Sequence, residues 1–369
     1  MRRMKKIAIA CQGGGSHTAF TAGVLKAILA VEQQTLPPDR KFEIVALSGT
    51  SGGAICALLA WRGLVTGQPD EAIRQLDDFW KKSWPQGNAS SPFEPFPPNH
   101  LMVLLGRLLP VELQLSPYDI NDPLGLLDAQ AILRRLLEKY VDKTFIEKVR
   151  REPPCPTLIV GAVNVLSGEF RVFSSDKSEI GIDAVVASAA IPTLMKAVEI
   201  DGAAYWDGLF SQNPPLKNLL RVLCSGRQRD PDRPLNERDK EIWIIRINPE
   251  RREKIPRSTS EIVDRRNELA GNLSLEQEKG YIETINRMVR YCRAKDLPPP
   301  DKIDERGIAI RPYQYVRLNE IAMPPGNFDS SWPMDAISKL DRNPDFLARL
   351  MAEGERQAEL FLAKSDALA

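Results

Sequence analysis

Short apolar runs alternate along the chain with segments whose apolar residues recur every three or four positions. Four runs are mostly apolar, as expected for strands buried in a sheet: residues 7–10, 42–47, 158–163 and 242–247. Helical periodicity follows the first run, and the apolar stretch 54–61 follows the second. Strands that alternate with helices predict an α/β fold with a largely parallel central sheet flanked by helices.

The predicted domain boundary lies where this alternation ends. Residues 1–250 are expected to form the α/β core, and residues 251–369 a mostly helical C-terminal extension packed on that core. The proline-rich segment 84–121 interrupts the core. It is predicted to be either a mobile cap with an apolar lip around Leu101–Leu105 or an ordered insertion. The charged segment 227–238 is expected to be a solvated loop, with contact to anionic lipid headgroups as the alternative.

Two helices are predicted in the extension. Residues 261–293 form the first, and its inner face is expected to carry Ile262, Leu269, Leu273 and Leu275. A late strand is expected at residues 313–318. The second helix begins at the pair Asn343-Pro344, which suits a cap and a first turn. Its apolar stripe, from Phe346 to Leu362, favours docking on the body or on another copy of the chain over membrane binding.

A G-x-S-x-G motif lies between the second strand and the apolar helix. It is Gly49-Thr50-Ser51-Gly52-Gly53. In a strand–turn–helix context this motif presents a serine hydroxyl at the tip of a strained elbow. Gly49 and Gly53 leave room for backbone crowding that a Cβ would block. The alternative is a plain tight turn, but the flanking segments favour Ser51 as a nucleophile.

Three glycines, Gly13, Gly14 and Gly15, join the first strand to the first helix. Their backbone N–H groups, near the positive end of the helix dipole, suit an anion. Phosphate is one candidate, but no Gly-Lys-Ser/Thr follows, and Thr18 stands where a dinucleotide fingerprint has its last glycine. We therefore expect an oxyanion hole for a carbonyl that Ser51 attacks.

The chain has two histidines, and neither suits a Ser-Asp-His triad in which histidine comes last. His17 lies in the glycine loop, and His100 lies in a stretch rich in proline and phenylalanine. Asp207, which ends a short strand-like run, is the better candidate to accept the serine proton directly. Asp201-Gly202 competes with it, but Asp-Gly favours a hairpin turn.

These motifs together resemble the patatin-like phospholipase family. They are the glycine loop at residues 13–18, the nucleophile motif at 49–53, and the aspartate element Asp207-Gly208-Leu209. Residues 115–121, 187–192 and 265–275 are also similar to bacterial members. The resemblance implies a three-layer sandwich of the FabD/lysophospholipase type. It implies a dyad of Ser51 and Asp207, an oxyanion hole from Gly13, Gly14, Gly15 and Gly52, and motif support from Gly49, Gly53 and Gly208.

Two residues depart from the family pattern. Thr18 replaces a glycine at the end of the anion loop, and Leu209 replaces the third residue of D-G-G/A. Neither change removes a reacting group. Both are expected to affect rate and substrate fit more than reaction class.

Composition limits the partners and the compartment. Fifty basic and 49 acidic side chains nearly cancel, so nothing points to nucleic acid. Five scattered cysteines are typical of reduced thiols, which favours the cytoplasm. No cysteine or histidine spacing indicates a metal, and no cofactor is expected. Basic residues 2–6 followed by the apolar run 7–10 mimic a signal peptide, but the run is too short. No apolar run spans a membrane, so any lipid contact is expected to be peripheral.

Three functions are compatible with these features. The first is a lipid acyl hydrolase of the phospholipase or lysophospholipase type. The second uses the same dyad on another acyl ester, such as an intracellular polyester, or transfers the acyl group to an acceptor other than water. The third is a lipid- or nucleotide-binding regulator without turnover, which the intact Ser51 and Asp207 disfavour.

Overall fold

The computed structural model describes most of the chain and leaves several segments undescribed. The described ranges are residues 4–33, 41–84, 129–152, 155–192, 194–224, 240–252, 255–257, 259–298, 301–303, 309–324, 334–335 and 337–364. The predicted cap or insertion beyond Trp84 and the charged loop 227–238 lie outside these ranges.

The strands within the described ranges follow the predicted apolar runs, with additions. They are β1 (Lys5–Cys11), β2 (Phe42–Gly49), β3 (Thr157–Asn164), β4 (Phe170–Ser174), β5 (Val198–Ile200), β6 (Ala203–Asp207), β7 (Lys240–Arg246), β8 (Asp301–Ile303), β9 (Ala309–Pro312) and β10 (Arg317–Ala322). Eight of them form one sheet in the order β10-β7-β1-β2-β3-β6-β5, with β4 also paired to β3. The pairs from β10 to β3 are parallel, and those among β3, β4, β5 and β6 are antiparallel. β8 and β9 form a separate antiparallel pair.

Helices cover both faces of this sheet. They are α1 (Ala19–Glu32), α2 (Gly52–Val65), α3 (Pro69–Asp78), α4 (Ala129–Glu138), α5 (Lys143–Arg151), α6 (Ile182–Ser188), α7 (Leu216–Leu223), α8 (Thr259–Ala294) and α9 (Pro344–Lys364). Ile7 and Ile9 of β1 face a core shared with α1 to α6 and α9, whereas Ala8 and Ala10 face α7 and α8. Burial on both faces explains why the strands are apolar throughout. The predicted α/β class is confirmed.

The last helix, α9, docks on the body as predicted. Asn343 caps it, because its side-chain oxygen accepts hydrogen bonds from the N–H groups of Asp345 and Phe346 at 2.9 and 3.1 Å. A methyl group on either Gly23 of α1 or Gly354 of α9 would overlap a backbone carbonyl of the other helix. The two helices therefore cross at backbone contact.

The late strand begins four residues after its predicted start. Tyr313 and Tyr315 fall in the predicted strand, but both lie against α8 instead. The Tyr313 hydroxyl is 3.0 Å from that of Tyr281, and the Tyr315 hydroxyl accepts from Arg290 at 3.0 Å. These two tyrosines therefore contact α8 and take no part in strand pairing.

The predicted inner face of α8 is wrong for three of its four residues. Leu275 is buried, but Ile262, Leu269 and Leu273 are 52, 52 and 61% exposed. Polar side chains occupy buried positions from the start of α8 to just past its middle: Asp264, Glu268, Asn272 and Glu278. Each of them has a hydrogen-bond partner on the body, which offsets the cost of burying it. The period of the pattern alone could not distinguish this arrangement from an ordinary amphipathic helix.

The five cysteines, which all lie in the described ranges, are free thiols, as predicted. The cytoplasmic location and the domain boundary at residue 250 stay predictions.

Candidate active site

The predicted elbow is present at the end of β2. The strand ends at Gly49 and α2 begins at Gly52, so Thr50 and Ser51 alone turn the chain. Ser51 has φ 55° and ψ −132°, a positive-φ conformation that costs a non-glycine residue on the order of 1–3 kcal/mol. Its N–H donates to the Ser188 carbonyl oxygen at 3.1 Å and to Ser188 Oγ at 3.0 Å. These two contacts with Ser188 therefore hold the Ser51 backbone in its strained conformation.

Glycines allow the close approach of backbone around this elbow. A methyl group at Gly49 would stand 2.5 Å from the carbonyl oxygen of Gly53, and one at Gly53 would stand 2.8 Å from that of Gln12. A methyl group at Gly208 would be 2.8 Å from the carbonyl carbon of Gly161. Contacts this short cannot be accommodated beside backbone, so each of the three motif glycines is required by packing.

The register of β3 brings Asp207 to the elbow. Val160 of β3 pairs with Gly49 of β2, and Ala162, two residues later, pairs with Asp207 of β6. β4 occupies the other edge of β3 at both positions. β2 and β6 therefore share one edge of β3, and β6 ends close to where β2 ends. This places Asp207 beside the serine.

The Ser51 side chain interacts with the Asp207 carboxylate and lowers its pKa. Both residues are buried, with 6 and 1% of their surface exposed. Burial raises the pKa of Asp207 to about 7, and hydrogen bonds from the Leu209 N–H and from Ser51 oppose part of that rise. The Leu209 N–H lies 2.8 Å from Asp207 Oδ1. A carboxylate with a pKa near neutrality is a stronger base than an exposed aspartate.

The glycine loop runs against the elbow. A methyl group at Gly13 would be 2.8 Å from Ser51 Cβ, and one at Gly52 would be 2.9 Å from the Gly15 carbonyl oxygen. Within the described ranges, the N–H groups of Gly14, Gly15 and Gly52 have no acceptor. Three of the four predicted oxyanion donors are thus available to a ligand beside the serine.

The fourth glycine, Gly13, is already engaged. Its N–H donates to the side-chain oxygen of Asn213 at 2.6 Å, and both groups are buried. The backbone N–H of Asn213 in turn lies 3.3 Å from Ser274 Oγ on α8. Sequence reasoning gave Asn213 no role. The signal that could have found it is a polar residue, followed by two prolines, shortly after Asp207.

A second side chain, Gln12, fastens the same loop and was also missed. Its Oε1 accepts from the N–H groups of Ile247 and Asn248 at 3.0 and 2.9 Å. Its Nε2 donates to Asn272 Oδ1 at 3.0 Å. Gln12 thus ties the start of the loop to the end of β7 and to α8. The signal available in the sequence was a glutamine between an apolar strand and a glycine run.

Among the described residues, no histidine has a contact with Ser51 or Asp207. His17 Nε2 lies 2.7 Å from Ser338 Oγ, and burial lowers the pKa of this imidazole well below its usual value. It is a neutral core residue on the far side of the loop. His100 lies outside the described ranges.

Asp201 forms the predicted hairpin turn. Asp201 and Gly202 have φ values of 52 and 78° and join β5 to β6 in solvent. The competing aspartate is therefore one strand length away from Ser51.

The two departures from the family motif lie next to the site. Thr18 Oγ1 donates to the Gly15 carbonyl oxygen at 2.5 Å and fills the space beside Gly52. The Leu209 side chain lies against α8, where a methyl group at Gly271 would be 2.9 Å from its Cδ1. Their effect on rate and substrate fit stays a prediction.

No cluster of three or more histidine, cysteine or carboxylate side chains in the described part of the chain could hold a metal ion. The helices described here include none long and apolar enough to cross a membrane.

Comparisons with known proteins add the following. A family model described as patatin-like phospholipase matches residues 9–220, a range that contains the glycine loop, Ser51, Asp207 and Asn213. VipD from Legionella pneumophila is similar in structure, with a TM-score of 0.39 and 13% identity over 98% of this chain and 67% of that chain. A chain in the heterodimeric ExoU–SpcU complex of the type III secretion system of Pseudomonas aeruginosa has a TM-score of 0.30 and 15% identity, over 75% of this chain and 51% of that one. The search of curated proteins found no match.

Proposed function

The chain belongs to the patatin-like phospholipase family, and on that basis we propose that it hydrolyses a carboxylic ester of a phospholipid or lysophospholipid through Ser51 and Asp207. The observation that carries the proposal is the burial of these two side chains together at the elbow, where the strand register brings them side by side and Ser51 lowers the pKa of Asp207. A hydroxyl in contact with a carboxylate whose pKa is about 7 has the base it needs at neutral pH.

In the first half of the reaction, Ser51 Oγ attacks the ester carbonyl carbon while Asp207 accepts the hydroxyl proton. Negative charge develops on the carbonyl oxygen. The N–H groups of Gly14, Gly15 and Gly52 are the proposed donors to it, because they have no acceptor among the described residues. Gly13 enters the proposal as the residue that lets the loop approach Ser51, since its own N–H is bound to Asn213.

Collapse of the tetrahedral intermediate breaks the bond to the leaving alcohol, and Asp207 returns the proton to that oxygen. The acyl group then remains on Ser51. In the second half, Asp207 takes a proton from a water molecule, which attacks the acyl-serine carbonyl. Release of the fatty acid returns the proton to the Ser51 oxygen and restores the enzyme.

The test compares Ser51→Ala and Asp207→Asn with two matched controls, Ser167→Ala and Asp201→Asn, whose side chains are exposed on turns. On a chromogenic short-chain ester we expect a burst of alcohol from the wild type and from both controls. Ser51→Ala should show no burst and no fluorophosphonate labelling. Asp207→Asn should lose about 10²–10⁴-fold in turnover, the usual contribution of a general base.

Two results would contradict parts of this proposal separately. Fluorophosphonate labelling that persists in Ser51→Ala would show that Ser51 is not the nucleophile. Turnover in Asp207→Asn within a few-fold of wild type would show that Asp207 is not the general base. The proposal that the protein is a serine esterase would still stand.

The substrate class is tested with a mixed-lipid panel analysed by mass spectrometry, with Ser51→Ala as the blank. The proposal expects free fatty acid together with a lysolipid or a deacylated headgroup. Products acylated on a new acceptor would instead support an acyltransferase, and polyester cleavage without lipid cleavage would support the storage-polymer alternative.

A further inference from the structure

The N-terminal half of α8 carries an apolar stripe that faces solvent. Ile262, Leu269 and Leu273 are each more than half exposed, although they lie on one side of the helix at spacings of seven and four. Exposed large apolar side chains are common singly, but several on one face of a helix are typical of an interaction surface.

The exposure is fixed by the buried side of the same half-helix. Asp264 accepts from Lys339 at 3.1 Å, and Glu268 accepts from Arg252 at 2.8 and 2.9 Å. These two carboxylates are 1 and 3% exposed. Turning the stripe inward would strip buried charges of their partners, which is strongly unfavourable. The outward stripe is therefore a stable feature of the fold.

The stripe lies at the end of the sheet that carries the candidate site. Asn272 Nδ2 donates to the carbonyl oxygen of Pro249, just beyond the end of β7, at 3.0 Å. Asn286, one half-helix further on, pairs with the backbone of Val316, just before β10 begins. α8 therefore runs antiparallel to the parallel strands, and its first half stands at their carboxyl ends, beside Ser51.

Other exposed apolar side chains lie at the same end of the sheet. Phe210, 51% exposed, follows Leu209, whose side chain touches α8 at Gly271. β3 continues four residues beyond the Val160–Gly49 pair, a length of roughly 13 Å at about 3.3 Å per residue. The hairpin at its end presents Leu166 and Phe170, 87 and 58% exposed.

Positive charge accompanies the apolar side chains. Arg251, Arg257 and Arg266 are exposed, and their guanidinium groups have no carboxylate partner in the ranges that the structure describes. They flank Ile255, which is 83% exposed, and Ile262. Apolar side chains beside unpaired cations suit a surface of phosphate headgroups over acyl chains.

We propose that the N-terminal half of α8, with Ile262, Leu269 and Leu273 and the neighbouring arginines, docks on the surface of a phospholipid bilayer and holds the mouth of the site against it. The proposal rests on the lipid hydrolase function proposed above. Docking would bring the end of the sheet that carries Ser51 to the layer of the bilayer in which the lipid ester carbonyls lie.

The test uses vesicles of mixed phosphatidylcholine and phosphatidylglycerol and full-length protein carrying Ser51→Ala, so that no lipid is consumed. The triple variant Ile262→Ser, Leu269→Ser, Leu273→Ser is compared with Met288→Ser, Tyr291→Ser. The control residues are 49 and 61% exposed on the same helix. They lie at the opposite end of the sheet, about 30 Å along the helix from the stripe at 1.5 Å per residue. We expect the triple variant to bind vesicles at least about tenfold more weakly, and the control to bind as the parent does.

Three outcomes overturn the docking surface: unchanged vesicle binding by the triple variant, weakened binding by the control, or a change of oligomeric state in the triple variant with vesicle binding unchanged. Hydrolysis of a monomeric short-chain ester, measured with Ser51 restored, tests the proposed function separately. It should be equal in all variants. If no variant hydrolyses the ester, the hydrolase proposal fails, whatever the vesicle result.

A second variant tests the docking surface without changing its apolar side chains, so the result does not depend on the folding of the triple serine variant. Arg251→Gln, Arg257→Gln, Arg266→Gln keeps the apolar stripe, and it should weaken binding to the anionic vesicles and reduce its dependence on salt. Unchanged binding and unchanged salt dependence would contradict the headgroup contacts.

Discussion

The side-chain oxygen of Asn213 accepts a hydrogen bond from the backbone N–H of Gly13 at 2.6 Å. This bond joins the glycine loop to the segment that follows Asp207, so the proposed oxyanion donors and the proposed base are positioned by one contact. Both partners are buried, and a lost partner would leave the other unsatisfied. Asn213 is thus a positioning residue in the proposed mechanism, although it touches neither reacting atom.

Asn213→Ala should therefore lower turnover more than substrate binding. Releasing Gly13 lets the loop shift, and a misplacement of about 1 Å can cost on the order of 10²-fold in rate. We expect kcat on a short-chain ester to fall by about that factor while KM changes little. Asn218→Ala, on the half-buried side of α7, is the control. A KM increase with kcat intact would assign Asn213 to substrate contact instead.

Ser188→Ala tests how the elbow is held. The Ser188 hydroxyl donates to the Gly161 carbonyl oxygen at 2.6 Å and accepts from the Ser51 N–H at 3.0 Å. Ser188→Ala keeps the hydrogen bond from the Ser51 N–H to the Ser188 carbonyl oxygen but removes both hydrogen bonds of the hydroxyl. This loss should lower the free energy of unfolding by about 1–2 kcal/mol. Ser51 would relax from its positive φ, so we expect kcat to fall about tenfold at temperatures where the protein is folded. Chemical denaturation and ester kinetics on the same preparation check both effects, and full activity despite lost stability would show that the strain has no part in turnover.

The pKa of Asp207 predicts the pH dependence of turnover. Asp207 must be deprotonated to accept the Ser51 proton, and burial has raised its pKa from 3.8 to about 7. The active form is therefore half populated near pH 7, approaches completion about one pH unit higher and is lost as the pH falls below 7. We expect kcat/KM for an uncharged ester to fall about tenfold per pH unit below pH 7 and to level off above it. A profile that stays flat down to pH 5, in protein shown by circular dichroism to be folded, would mean that a group with an ordinary carboxyl pKa limits the rate.

The sequence was sufficient to predict the strands of the parallel sheet, because runs such as 158–163 are buried on both faces. The positions of Ser51 and Asp207 on their turns followed from local backbone chemistry. Asn213 and Gln12 were missed because their partners lie about 200 residues away or more, and no local pattern encodes a contact of that length. The exposed face of α8 was misassigned because its buried carboxylates depend on arginine and lysine partners from other segments.

Two glycines of α8 give a matched pair of substitutions. Gly280 is exposed and has nothing within 4 Å of the position a Cβ would take. Alanine there should raise the unfolding free energy by about 0.5–1 kcal/mol through helix propensity alone, with unchanged activity.

Gly271 offers the same gain in propensity, but its methyl group would stand 2.9 Å from Leu209 Cδ1 and 3.1 Å from Asn213 Nδ2. Leu209 can move, whereas Asn213 is held by Gly13, so the clash is passed to the glycine loop. We expect Gly271→Ala to lose stability relative to Gly280→Ala and to lower kcat, because it displaces a neighbour of Asp207 and the anchor of the loop together. Thermal unfolding and ester kinetics of the two variants side by side measure this. If Gly271→Ala were as stable and as active as Gly280→Ala, the contact between α8 and the site would be slack, and the proposed coupling of α8 to the glycine loop would be wrong.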